Sequence, residues 1–287
     1  MVTATMLWGA TFIMVRDTLH GLAPLSLLTI RFGLAALAWG LVLLVRRALG
    51  VATAGAREGL LGGLASMPFT AGGYLFQTIG LTATSAGSSA FLTSTGTLIT
   101  AFIAWPLLGQ RPGRRLLLGL ILAALGSGLL SMREGFTLGR GEAWTLLGAV
   151  VYAFQIVIVG AWMARGADPW IMVAVQTVGI AAILLPFTIR GLPSDLAGFD
   201  ASTWWRMGYL VLAGALAAPL LQVIAQRSLP PGRIALLFAL EPVFALIFAL
   251  YPGGERFVLR WWIGAALILA GVVIVEAGST SSRSTSE

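Results

Sequence analysis

GSSAFLTSTGTLITAFIAWPLLGQRPGRRLLLGLILAALGSGLL, residues 87–130, returns in altered form as GRIALLFALEPVFALIFALYPGGERFVLRWWIGAALILAGVVIV, residues 232–275. A shift of 145 positions superposes the landmarks of the two stretches without a gap. Gly87 meets Gly232, Ala90 meets Ala235, and Gly109-Gln110-Arg111 meets Gly254-Glu255-Arg256. Gly119 then meets Gly264, and Gly126 meets Gly271. Each copy reads as a helix, a tight Gly-[Gln/Glu]-Arg turn, and a second helix with glycines seven apart. The same offset carries Pro24 and Arg31 onto Pro169 and Gln176, and Gln77 onto Gln222. Trp8 meets Tyr152 with a one-residue slip. The duplication therefore spans the chain.

The solvent for this chain is the bilayer. Of its 287 residues 58% are hydrophobic and 10% charged, with a mean hydropathy of +0.92; a soluble domain carries about 25% charged residues. All 18 basic residues are Arg. With no Lys there is no Schiff-base chemistry of the retinal kind. With no Cys there is neither disulfide nor thiol chemistry. A single histidine, His20, argues against a His-ligated metal or haem site, and no cofactor is expected. A net charge of +7 in a soluble protein suggests nucleic acid. Here the arginines cluster at the ends of hydrophobic segments, which is membrane anchoring, and nucleic acid is not an expected partner.

A spanning helix needs about 20 mostly apolar residues. Ten segments qualify: 2–19, 24–45, 58–81, 86–108, 114–132, 142–163, 169–189, 203–225, 232–251 and 259–276. The first lacks a basic leader and a small-residue cleavage site, so it reads as a retained helix and not a signal peptide. The segments divide into two five-helix repeats, residues 1–133 and 140–277, followed by a Ser/Thr-rich tail, 278–287, expected to be disordered. Five is odd, so the second repeat enters the membrane the other way up. The expected fold is thus all-α and integral to the membrane, with ten transmembrane helices as two inverted five-helix repeats and a substrate region where they meet. With the N-terminus inside, ten arginines fall on the inner ends and seven on the outer; through the fifth helix the split is six to one. That bias places both termini in the cytoplasm of a multi-pass protein.

Several motifs at this order and spacing resemble the drug/metabolite transporter superfamily, in its EamA-type branch. They are Leu7-Trp8-Gly9-Ala10-Thr11-Phe12, Pro24 with Arg31-Phe32, Gly109-Gln110-Arg111, Glu241-Pro242, Gly253-Gly254-Glu255-Arg256, and the two glycine pairs of the last helix in each half. The likeness covers nearly the whole chain. It departs at Thr97, which stands where the second half has Pro242, so a kink in the fourth helix is not implied as one in the ninth is. The resemblance implies secondary export of small metabolites, often amino acids, through a central cavity, in the inner membrane of a bacterium. It implies a transporter and not an enzyme.

The residues carry their own reading. Polar side chains inside a membrane face the bundle interior or a watery cavity. Ser89, Thr93, Thr97 and Thr100 form such a stripe on the fourth segment, and Thr70, Tyr74 and Gln77 on the third. Tyr152 with Gln155, and Gln222 with Gln226, form two more. Interhelical hydrogen bonding explains single hydroxyls equally well. The repeated glutamines Gln77 and Gln222 favour a lined cavity. Trp8, Tyr74, Phe91, Tyr152 and Phe238 lie mid-segment, where they either stack on a ligand or simply pack. Glu241 is the only acid placed mid-segment, next to a helix-breaking proline, and a charge at that depth costs at least about 2.5–3.5 kcal/mol. It either binds a substrate ammonium or takes up the coupling proton, or else serves as a structural partner. Arg31 reads as a buried partner for a carbonyl or as snorkelling to the interface; the alternative is a clamp for a carboxylate.

The candidate substrate-binding set is Trp8, Thr11, Tyr74, Gln77, Thr93, Thr97, Tyr152, Gln155, Gln222, Phe238 and Glu241. Amides, hydroxyls, aromatics and one acid suit zwitterions or amines better than phosphates. The partners expected are a small-molecule substrate and the lipid bilayer. The glycines of the two last helices allow either packing between halves or a homodimer face. A multidrug or lipophilic-cation exporter is the alternative reading. A lipid-modifying intramembrane enzyme is disfavoured, since H-E-x-x-H, P-loop and G-x-S-x-G motifs are all missing.

Overall fold

The computed structural model describes residues 1–131, 139–250 and 259–283. Among them the chain is helix and turn, with no strand. The first half runs α1 (Val2–Thr18), α2 (Pro24–Ala48), α3 (Ala56–Leu81), α4 (Ala86–Leu108) and α5 (Arg114–Ser131). The second runs α6 (Arg140–Ala164), α7 (Pro169–Thr188), a short α8 (Leu192–Ala197), then α9 (Ala201–Val211) and α10 (Ala218–Ala225). After these come α11 (Pro231–Phe238), α12 (Glu241–Leu250) and α13 (Leu259–Arg283). Six of these stretches are long and apolar enough to cross a membrane. They are Pro24–Ala48, Ala86–Leu108, Arg140–Ala164, Pro169–Thr188, Ala201–Ala225 and Pro231–Phe248. The second Gly-Glu-Arg turn lies outside the described residues, and α13 continues past Gly278, where the sequence places the start of the tail.

Local chemistry sets the helix ends. Pro24 and Pro169 open α2 and α7 at positions where a missing N–H costs nothing. Ser85 caps α4 by accepting from Ser88 N, and Asp168 caps α7 from Trp170 N and Ile171 N. Asp200 caps α9. Its bonds with Thr203 and Ser202 lower its carboxyl pKa to about 2. Gly109 stops α4 at φ 69°, in the left-handed region that favours glycine.

Two interruptions were not written in the hydropathy. Between α9 and α10 the helix widens into a π-helical stretch, Leu212–Ala217. Pro219 follows it. A proline ring collides with the carbonyl four residues back, here Ala215, and a wider turn relieves the collision. The segment expected as one kinked helix at 232–251 is broken outright: α11 stops at Phe238 and α12 begins at Glu241. Pro242 accounts for the break, and α4, with Thr97 at the matching place, runs through without one.

Packing between the halves goes through small residues. A Cβ on Gly119 would lie 2.8 Å from the carbonyl oxygen of Gly271, and Gly126 abuts the carbonyl of Gly264. Residue numbers rise on one helix as they fall on the other, so α5 and α13 lie antiparallel. The glycines sevenfold-spaced in sequence therefore face each other inside one chain. α2 and α7 are antiparallel as well. Thr188 donates to Thr29 at one end (3.0 Å), while Arg46 covers Trp170 at the other (4.5 Å). The largest apolar core joins α1, α2, α3, α7 and α9, with Phe12, Leu28, Phe32, Ile180 and Leu210 buried together.

Candidate functional site

One cavity opens where α1, α2, α3, α4, α6, α7, the π-helical stretch, α10, α11 and α12 converge. Its volume is about 80 Å³, room for several waters or one small ligand. Trp8, Thr11, Tyr74, Gln77, Thr93, Tyr152, Gln155, Gln222, Phe238 and Glu241 all line it. The side chain of Thr97 lies outside the described residues. The polar stripe expected on α4 is divided. Thr93 reaches the cavity, Thr100 returns its hydroxyl to Gly96 O (2.7 Å), and Ser89 is buried without a partner. Phe91 and Gln226 do not line the cavity.

The aromatic wall is held by hydrogen bonds to one carbonyl. Trp8 Nε1 donates to Gly214 O (3.2 Å), and Tyr74 OH donates to the same oxygen (3.4 Å). Gly214 lies in the π-helical stretch. Such a stretch shifts the backbone ladder and is often found at functional sites. The Trp8 ring stacks on Phe238, with centroids 5.3 Å apart and planes 25° apart. Tyr74 meets Tyr152 edge-on at 5.5 Å and Phe32 at 4.9 Å. Thr11 spends its hydroxyl on Trp8 O (2.7 Å), so it contributes its methyl face more than its donor.

The amides are unequal. Gln77 Nε2 donates to Thr93 Oγ1 (3.0 Å). Gln222 Nε2 donates to Gln155 Oε1 (3.3 Å) and Gln226 Oε1 (3.1 Å), and Gln226 Nε2 reaches Ile156 O (2.7 Å). A ladder of three glutamines thus runs from the cavity along α10 towards the end of that helix.

The two charges are the sharpest feature. Glu241 begins α12 at the helix break, only 9% exposed, and its side chain makes no hydrogen bond or ion pair with the described residues. Gly9 lets α1 press against it: a Cβ there would sit 2.8 Å from Phe244 Cβ and 3.1 Å from Glu241 O. Arg31 is 2% exposed, and neither its Nε nor its Nη2 has a partner. Its guanidinium lies 5.0 Å from the Tyr74 ring centre and 5.3 Å from that of Phe32. The expectations of a carbonyl partner or of snorkelling are therefore wrong: the head stays buried inside the bundle, and no hydrogen bond to a carbonyl is formed among the described residues.

The sequence reading missed the contribution of α2 and α7. Gln176, Thr177, Thr78 and Ser94 also line the cavity. Thr78 follows Tyr74 by one helical turn, so periodicity carried that signal. For Gln176 the signal was its match to Arg31.

Comparison with known proteins agrees with this architecture. The model of the EamA-like transporter family matches residues 1–132 and 139–277. An uncharacterized transporter of Archaeoglobus fulgidus is 27% identical over 280 residues, covering 94% of this chain and 82% of its own. The uncharacterized transporter YyaM of Bacillus subtilis is 22% identical, covering 92% and 88%. A crystal structure aligns with a TM-score of 0.78 at 18% identity, over 95% of this chain and 93% of that one; at that identity it speaks for the fold alone.

Proposed function

The chain belongs to the EamA-like transporter family and is a multi-pass membrane transporter, and on that premise we propose that it exports small amphipathic metabolites, amino acids or related compounds, by alternating access. The observation that carries the reading is the lining of the cavity. One acid, one guanidinium, four amides and a stacked aromatic pair are drawn from both halves into a single space the size of a small ligand. A zwitterion with an apolar side chain finds a complement for each of its parts there.

The same reading takes the chain as ten spanning helices in two inverted repeats, with both termini in the cytoplasm. Helices α5 and α13 are counterparts at the 145 offset, as are α2 and α7, and each pair lies antiparallel. Counterparts that point in opposite directions are what an inverted repeat requires. A rocking motion of one half against the other would then expose the cavity alternately to either side. Glu241, unpaired at the break, is the candidate for binding the substrate ammonium or carrying the coupling proton.

The test is counterflow in proteoliposomes with a panel of amino acids, metabolic amines and lipophilic cationic dyes. Saturable accumulation of amino acids is the expected result. Accumulation of the dyes alone would transfer the protein to the multidrug class.

A further inference from the structure

Charged side chains are almost never fully buried unless they are paired, and Arg31 is buried without an ion pair among the described residues. It lies on α2 inside the spanning stretch, 2% exposed, with two of its three nitrogens lacking any partner. Glu241, the only acid among the described residues that line the same cavity, forms no ion pair with it. The backbone opposite has been cleared to let the guanidinium approach. A Cβ on Gly214 would meet Arg31 Nη2 at 2.6 Å, and Gly214 sits in the π-helical stretch. The counterpart of Arg31 at the 145 offset behaves differently. Gln176 donates to Ser66 Oγ at 2.7 Å and is satisfied.

We infer that Arg31, presented against Gly214, is the carboxylate-binding residue of the cavity, and that the site selects zwitterionic amino acids over amines of the same side chain. A planar guanidinium offers paired N–H donors in the fork that a carboxylate accepts. The rings of Phe32 and Tyr74 lie 5.3 and 5.0 Å from the guanidinium carbon, and no hydrogen bond to them uses those donors. Among the described residues Arg31 is the only basic one lining the cavity, which suits one carboxylate and not a doubly charged phosphate. The inference rests on the cavity being the transport site.

The experiment measures affinity, by tryptophan fluorescence or thermal shift, for matched probes on purified full-length protein. The probes are L-leucine, 3-methylbutylamine and 4-methylpentanoate, with L-phenylalanine, phenethylamine and 3-phenylpropanoate as a second set. Wild type should prefer each amino acid to its amine by about 10- to 100-fold, the range for hydrogen bonds to a charged partner. Arg31→Gln should shrink that preference to within a few fold, through loss of affinity for the amino acid. Gly214→Ala should do the same by displacing the guanidinium, and serves where Arg31→Gln fails to fold. An Arg31→Gln or Gly214→Ala protein that discriminates like wild type overturns the role of Arg31 and leaves the amino-acid reading standing. A wild type that binds the amines and ignores the amino acids overturns both.

Discussion

Arg31 and Gln176 occupy matching places in the two halves, and their neighbours treat them oppositely. On α7 the amide of Gln176 is met by Ser66 of α3, whose own hydroxyl is anchored to Gly62 O at 2.6 Å. On α2 the guanidinium of Arg31 meets a π-helical stretch and a glycine, and is left open. The helices facing them differ in the same sense: α3 is continuous, while its counterpart is interrupted between Val211 and Ala218. The broken α11 and α12 against the unbroken α4 repeat the pattern. A duplicated scaffold supplies the symmetry that lets two halves pack. The departures from it collect in the second half, around the cavity, where buried groups without partners can answer to a ligand.

The most severe test of that contrast is Glu241→Gln. It should reduce transport in proteoliposomes to background, or remove its pH dependence, while membrane expression stays normal. Unchanged, equally pH-dependent counterflow would take Glu241 out of the mechanism. Next comes the interface where the halves are alike. Gly126→Val and Gly271→Val should each lower the stability of the detergent-solubilised protein by about 1–3 kcal/mol, because each forces a side chain against backbone. A large effect of one and none of the other would show that this interface is not symmetric.

The glutamines sharpen the comparison further. Gln222→Leu strands two amides, those of Gln155 and Gln226, and should cost about 1–3 kcal/mol of stability. Gln77→Leu removes one bond, to Thr93, and should cost about 0.5–1.5 kcal/mol. Thermal unfolding of the two variants side by side reads the difference. The smallest effect is expected at Gln176→Leu, about 0.5 kcal/mol of stability with the preference for amino acid over amine retained, since its partner Ser66 keeps its bond to Gly62. A shift in amino-acid preference from this variant would erase the distinction drawn from Arg31.

Much of this was legible beforehand. The glycines 119, 126, 264 and 271 announced the duplication, and the structure sets them against one another. Trp8, Tyr74, Gln77, Tyr152, Gln155, Gln222 and Glu241 were separable from their apolar neighbours by polarity alone, and all line one cavity. Arg31 was equally visible, but its meaning was not. Its role turns on the absence of a partner, and partners come from helices far along the chain.

Composition and periodicity thus decided the solvent, most of the helices, the doubling and most of the residues that line the cavity, because each depends mainly on a residue and its near neighbours. Which buried polar group is satisfied and which is left open was decided by the folded molecule. That outcome depends on distances of about 3 Å between segments up to 206 residues apart, as from Trp8 to Gly214, and no local pattern encodes them.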